Sequence, residues 1–239
     1  MRGLMKNIIL VHGGWSGGWQ WSSLAPILRD FGHNVYTPTL SGLGDRSHLA
    51  HPGIDVNTHI TDIVNLISYY RLRSVHLLGF SYGGLVVTGA ANAIPDCIEQ
   101  LIYLDAFVPR DGETFADIVG DRITRQFKKF AEGGGDGWKI HPFKPDDERL
   151  TPQPIKTALT PVRFAHPKAL ELPRSYIACT GKDPEWSFTG ILARIAEQSR
   201  SDGFRYRELE TGHFPMISDP SMLAEVLNEF FEEEMQWVF

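Results

Sequence analysis

The chain has 239 residues and a formal net charge of −6, with its 23 basic residues scattered; such a length buries a full core in one domain, or one domain with an insertion, without metal or disulfide staples. The two cysteines, Cys97 beside a Pro-Asp turn and Cys179 inside an apolar run, suggest neither a disulfide framework nor a zinc cluster and point to a reducing, cytoplasmic compartment. No basic stripe marks a nucleic-acid partner, no stretch approaches a membrane span, and the N-terminus reads without the apolar core and cleavage site of a signal peptide, Met1 to Met5 reading as an alternative start or remnant.

Taken in order, the first apolar run, Asn7–Val11, predicts a strand that opens into the Gly-rich stretch "HGGWSGGW". An amphipathic stretch follows over Trp21–Phe31, a second strand over Asn34–Pro38, and a helix over Val56–Tyr70. Strand Ser74–Gly79, helix Leu85–Ala93 and strand Gln100–Leu104 continue the alternation. From about Pro109 to Leu172 the rhythm breaks in "AEGGGDGWKIHPFKPDDERLTPQP", which is rich in Gly, Pro and charge with weaker helical patches on either side. Strand Ser175–Thr180, helix Thr189–Ser199, strand Arg205–Leu209 and helix Pro220–Glu234 resume it. Strand-helix alternation of this kind predicts an α/β fold with a doubly wound, mostly parallel sheet. Residues 1–108 and 173–239 form its core, and 109–172 is expected to be a helical cap inserted over the carboxyl edge of the sheet, where open α/β folds place ligands.

Gly79-Phe80-Ser81-Tyr82-Gly83 satisfies G-x-S-x-G with a strand before it and a helix after it. A strand that turns at once into a helix strains the residue at its apex and crowds its neighbours, so glycines flank a serine whose hydroxyl stands clear of the sheet. A serine hydroxyl is a weak nucleophile until a base takes its proton. His213, in the "TGHFPM" turn after the last strand, is the histidine placed to return over Ser81. His76, inside a strand, reads as a packed core residue, and His12 as a residue that shapes its loop. The glycines of "HGGW" let backbone N–H groups approach a ligand, so Gly14 and Tyr82 are the expected oxyanion donors. Phosphate binding is disfavoured, because neither G-x-G-x-x-G nor a P-loop lysine is present. The acid that orients His213 is Asp105 in "YLDAFVP", where an apolar run makes an unpaired carboxylate costly, or alternatively Asp183 in "TGKDP", with Glu185 a more distant third. Trp15, Trp186 and Phe214 flank these loops as candidate pocket residues. The inserted segment adds Phe115, Phe127, Phe130, Trp138, Phe143 and Phe164, about half of them expected in the core.

The stretches "ILVHGGWSGGWQW", "YTPTLSGLGDRS", "LLGFSYGG", "YLDAFVP", "YIACTGKD" and "TGHFPM" together make the chain resemble the α/β-hydrolases, in the branch of plant methylesterases, hydroxynitrile lyases and small bacterial esterases. In the plant relatives the acid follows the strand matching Ser175–Thr180, which implies Asp183; in the more distant haloalkane dehalogenases an acid can end the preceding strand, which implies Asp105. The lyases of the branch carry a lysine after the catalytic histidine and a threonine in the first loop, whereas this chain has Phe214 and glycines; dehalogenases need an aspartate where Ser81 stands. The resemblance therefore implies hydrolysis of a small, largely apolar carboxylic ester or lactone through an acyl-enzyme, with no cofactor and no metal. Activity is expected to rise through a group titrating at about 6 to 7.5. The alternatives are a non-catalytic small-molecule receptor on the same scaffold and a cofactor-free oxygenase or lyase. The expected partner is a small-molecule ester, with a homodimer as a compatible assembly.

Overall fold

Apolar runs such as Ile8–Val11 have no polar face to offer water, so both sides of the sheet they build must be covered. The computed structural model describes residues 5–143 and 147–232. Its elements are β1 (Asn7–Val11), α1 (Leu24–Asp30), β2 (Asn34–Tyr36), α2 (Val56–Tyr69), β3 (Val75–Phe80), α3 (Gly83–Ala93) and β4 (Ile98–Leu104). They are followed by α4 (Phe115–Glu132), β5 (Lys139–Ile140), β6 (Gln153–Pro154), α5 (Lys156–Leu159), α6 (Pro167–Leu170), β7 (Arg174–Cys179), α7 (Thr189–Ser201), β8 (Arg205–Leu209), α8 (Pro215–Ser218) and α9 (Pro220–Glu232). Met1–Leu4, the centre of the Gly-Pro-charged stretch at 144–146, and the end expected for the last helix beyond 232 lie outside the described residues.

Six strands form one sheet in the order β2-β1-β3-β4-β7-β8, every neighbouring pair parallel. Ile9, Val11, Leu77, Leu101, Tyr103 and Tyr176 belong to one apolar layer with α2, α3 and α7. Ile8, Leu10, Leu78, Phe80, Ile102 and Leu104 belong to the other, with Trp21, α1 and α9. The periodicity of α9 shows why it docks: Leu223, Leu227, Phe230 and Phe231 recur at helical spacing and are all buried. The chain begins at β1, steps out to β2 and returns to β3 on the other side of β1. Loops after β1 and β3 thus diverge at a switch point, where a crevice opens at the carboxyl edge.

Residues between β4 and β7 add no strand to this sheet among those described; they carry α4, an antiparallel β5-β6 ribbon and two short helices. Where the pattern suggests weak helical patches, α4 runs 18 residues. Its start is a capping box, the Asp117 N–H donating to Thr114 Oγ1 and the Thr114 N–H to Asp117 Oδ2. A buried stripe of Phe115, Val119, Ile123, Phe127 and Ala131 carries it past a kink at Gly120, whose φ is 78°. The Gly-rich, charged surroundings mask that stripe in the sequence.

Three buried histidines brace the core in neutral form. The Leu40 N–H donates to His12 Nε2, so His12 Nδ1 carries the proton and donates to the Gly13 carbonyl. His59 Nε2 donates to the Ser41 carbonyl, so Nδ1 accepts from the Tyr82 hydroxyl. His76 pairs through Nδ1 with Gln100 Oε1 on β4. Burial pushes all three from 6.5 down to about 4. Between those values the unfolded chain binds more protons than the folded one, so stability falls as pH falls through that window. These three histidines are expected to give urea unfolding from pH 7 to 5 a stability drop with a slope approaching at least about three protons; a flat profile would contradict the neutral assignments.

Candidate active site

The loops that follow β1, β3, β4, β7 and β8 all open at the same sheet edge, because Phe80 pairs with Leu104, Leu104 with Ile177, and Cys179 with Leu209. Ser81 follows β3 directly, with φ at 52°. Its N–H donates to the Leu104 carbonyl, and its own carbonyl accepts from the N–H groups of Gly84 and Phe107. A side-chain carbon on Gly79 would sit 2.6 Å from the Gly83 oxygen, one on Gly83 2.6 Å from the Val11 oxygen, and one on Gly84 2.2 Å from the Phe107 oxygen. The glycines of "GFSYGG" are therefore fixed by backbone meeting backbone.

Asp105 follows β4 in the same way, with φ at 40°, and is fully buried. Its Oδ2 accepts from His213 Nδ1 at 2.6 Å. Oδ1 accepts from Lys182 Nζ at 2.8 Å and from the Cys179 N–H at 3.2 Å. His213 lies between rings: its imidazole centroid is 4.6 Å from that of Phe80, the residue preceding Ser81, 4.5 Å from Trp186 and 5.0 Å from Phe214. Burial pushes His213 below 6.5, against its hydrogen bond to Asp105, which pulls it up. Neutral imidazole therefore persists to lower pH than in an exposed histidine.

Of the two candidate acids, the structure brings Asp105 to His213 and leaves Asp183 on the surface. Asp183 serves its own turn, its Oδ1 accepting from the Glu185 N–H and its carbonyl from Thr189 Oγ1. Glu185 is exposed as well. Gly14 comes to Tyr82, a carbon added on Gly14 standing 3.7 Å from Tyr82 Cβ. Among the described residues, neither N–H donates to a backbone carbonyl. Trp15, with φ at 61°, is tied to the segment between β4 and β7: its N–H donates to Gln153 Oε1, its Nε1 to the Ile140 carbonyl, and its carbonyl accepts from the Thr151 N–H. Trp186 packs on His213 and also lines a cleft of about 550 Å³ with Val119, Arg122, Ile123 and Ile191. Phe214 is 47% exposed beside His213. Of the six aromatics of the inserted segment, Phe115, Phe127 and Phe164 are buried, while Phe130, Trp138 and Phe143 are partly exposed. Sequence reasoning does not single out Lys182 or Gln153: Lys182 stands in "YIACTGKD", where Asp183 is the residue with an assigned role, Gln153 belongs to no motif, and each bonds a residue far away in the chain.

The sequence profile of the Alpha/beta hydrolase family matches residues 8–226. The chain belongs to that family. It is 33% identical over 93% of its length, and 98% of the relative's, to the carbendazim hydrolyzing esterase of Nocardioides sp.. It is 29% identical to Methylesterase 1 of Arabidopsis thaliana, over 61% of this chain and 55% of that one. An extracellular alpha/beta-hydrolase from a Paenibacillus species superposes with a TM-score of 0.79 at 24% identity, over 94% of this chain and 98% of the other, and shows the shared fold. These family members place the chain among ester hydrolases, which does not favour the receptor and oxygenase or lyase readings.

The backbone contacts at the serine turn have a direct consequence. Gly84→Ala drives a methyl group into the Phe107 carbonyl and is expected to destabilise the protein by at least about 1–3 kcal/mol, the range for overpacking. Wild-type stability of that variant in denaturant would refute the crowding argument.

Proposed function

We propose that this member of the family is a carboxylic ester hydrolase working through an acyl-enzyme on Ser81, with His213 as base and Asp105 as the acid that holds it. The observation that carries the assignment is the buried 2.6 Å hydrogen bond between Asp105 Oδ2 and His213 Nδ1, on an imidazole packed at a tilt against the residue preceding Ser81. Because Nδ1 is committed to Asp105, Nε2 is the nitrogen left to exchange a proton with the serine. Ser81 attacks the ester carbonyl as His213 takes its proton; the N–H groups of Gly14 and Tyr82 hold the oxyanion. His213 then gives that proton to the leaving alcohol. Water, deprotonated by the same imidazole, cleaves the acyl-enzyme and regenerates Ser81.

Residues 109–172 act as the cap in this reading, and Trp186 separates the imidazole from the cleft that the cap shares with the loop after β7. The rings of Phe80, Trp186 and Phe214 around His213 support a small, largely apolar ester, as does similarity to relatives named for hydrolysing carbendazim and methyl esters. Two free thiols, Cys97 and Cys179, suit a reducing, cytoplasmic setting. No helix among the described residues is long and apolar enough to cross a membrane.

A panel of p-nitrophenyl esters, acetate through decanoate plus benzoate, tests the assignment. Ser81→Ala is expected to lower kcat by at least about 10⁴-fold with the fold intact; comparable turnover by that variant would end the proposal. The two acids separate in the same assay. Asp105→Asn is expected to cost about 10³- to 10⁴-fold in kcat, as loss of a triad acid does, whereas Asp183→Asn leaves kcat near wild type. The reverse ranking would move the acid to Asp183.

A further inference from the structure

The proposed hydrolysis leaves one buried charge at the site unused. The Lys182 side chain is 6% exposed, and its Nζ pairs with Asp105 Oδ1 and also donates to the Cys179 carbonyl oxygen. A buried ammonium is costly unless it is paired, and a lysine three residues beyond Cys179 would ordinarily extend to solvent. Here it turns inward to the same carboxylate that holds His213. The two oxygens of Asp105 are thereby divided, Oδ2 to the imidazole and Oδ1 to the ammonium, with the Cys179 N–H completing Oδ1.

We propose that Lys182 is a positioning residue of the hydrolysis: its ammonium locks the rotation of the Asp105 carboxylate so that Oδ2 faces His213 Nδ1, and it offsets part of the negative charge that would otherwise keep a proton on the imidazole. The inference rests on the Ser81–His213–Asp105 assignment. A carboxylate bound only by the imidazole and one N–H could rotate about its Cβ–Cγ bond and offer either oxygen. Lys182 removes that freedom. The electrostatic part follows from the groups packed around the pair. From β4 comes Asp105, which favours imidazolium; from the loop after β7 comes Lys182, which disfavours it. The Cys179 thiol, pushed up by burial to about 12, and the Tyr176 phenol, pushed well above 10, stay neutral beside Asp105. Asp183 and Glu185, on the same loop as Lys182, are exposed to solvent. Phe80, Trp186 and Phe214 enclose the imidazole with rings that carry no charge.

The test is kcat/KM against pH for p-nitrophenyl butyrate with the wild type, Lys182→Met and Lys182→Arg. Loss of the cation in Lys182→Met is expected to move the acid limb upward by about one pH unit, the scale of a close charge on a titrating group, with KM little changed because Lys182 is buried against Asp105. Lys182→Arg keeps the charge and is expected to keep the wild-type limb. Lys182→Gln keeps a donor for Asp105 Oδ1 without the charge and carries the expectation of Lys182→Met if that variant does not fold. A folded uncharged variant whose limb coincides with the wild type overturns the proposal, as does a limb in Lys182→Arg that moves as far as in Lys182→Met. Activity surviving in Ser81→Ala, or an Asp105→Asn variant that loses less kcat than Asp183→Asn, would instead overturn the underlying assignment, so the two failures are distinguishable.

Discussion

A carboxylate with no exposure must find donors for its lone pairs inside the protein, and at Asp105 that requirement organises the sheet edge. The donors come from three places: the last residue of β7, the loop that follows β7, and the loop that follows β8. Those loops must therefore converge on the end of β4. They do so by zipping together, the Gly181 N–H donating to the Thr211 carbonyl at a separation so close that a carbon on Gly181 would lie 3.1 Å from the Thr211 backbone. His213 follows Thr211 by two residues, and its place over Phe80 is a result of this convergence. Asp183, exposed on the surface, makes no such demand on these loops.

The serine turn depends on the opposite kind of constraint, in which backbone crowding rather than polar satisfaction does the ordering. Trp15, Ser81 and Asp105 all hold positive φ, a conformation that costs a non-glycine residue on the order of 1–3 kcal/mol. Such strain persists only where the surroundings over-determine it. At Ser81 both backbone groups are bonded, to Leu104 on one side and to Gly84 and Phe107 on the other; at Asp105 the N–H donates to the Ile177 carbonyl at 2.7 Å. Hydrogen bonds to neighbouring strands thus hold the two residues in the conformations that aim their side chains out of the sheet.

These two constraints differ in how far they are legible in the sequence. Crowding at a turn leaves a local signature: "GFSYGG" between a strand and a helix is six adjacent residues, and the strand runs around it are continuous enough to place β1, β3, β4, β7 and β8 within a residue or two. Polar satisfaction of a buried group leaves almost none. The apolar run around Asp105 signals that its carboxylate needs a partner, but the partners lie 77 and 108 positions away. Lys182 is adjacent to Asp183 in the chain, and composition gives no hint that the lysine turns inward while the aspartate turns out. The length of α4 was hidden for a related reason, since its buried stripe is interleaved with charged residues and broken by Gly120, and the packing that rescues it is tertiary.

Gln153 joins the two regimes. Its Oε1 accepts the Trp15 N–H, its Nε2 donates to Thr157 Oγ1, and the same oxygen lies 3.0 Å from where a carbon on Gly14 would stand. The loop that carries a proposed oxyanion donor is thus held in place by the segment between β4 and β7, through that glutamine and through the Ile140 and Thr151 backbone. A scaffold divided cleanly into a catalytic sheet and a passive lid would let the lid vary without touching turnover. Here the segment that walls the cleft also holds Trp15 and lies against Gly14, so under the proposed mechanism a displacement of Gln153 would be felt at the carbonyl oxygen of a bound ester. Transition-state stabilisation by backbone donors demands close placement, so under the proposed mechanism the tie through Gln153 would make substrate fit and reaction rate properties of one connected structure.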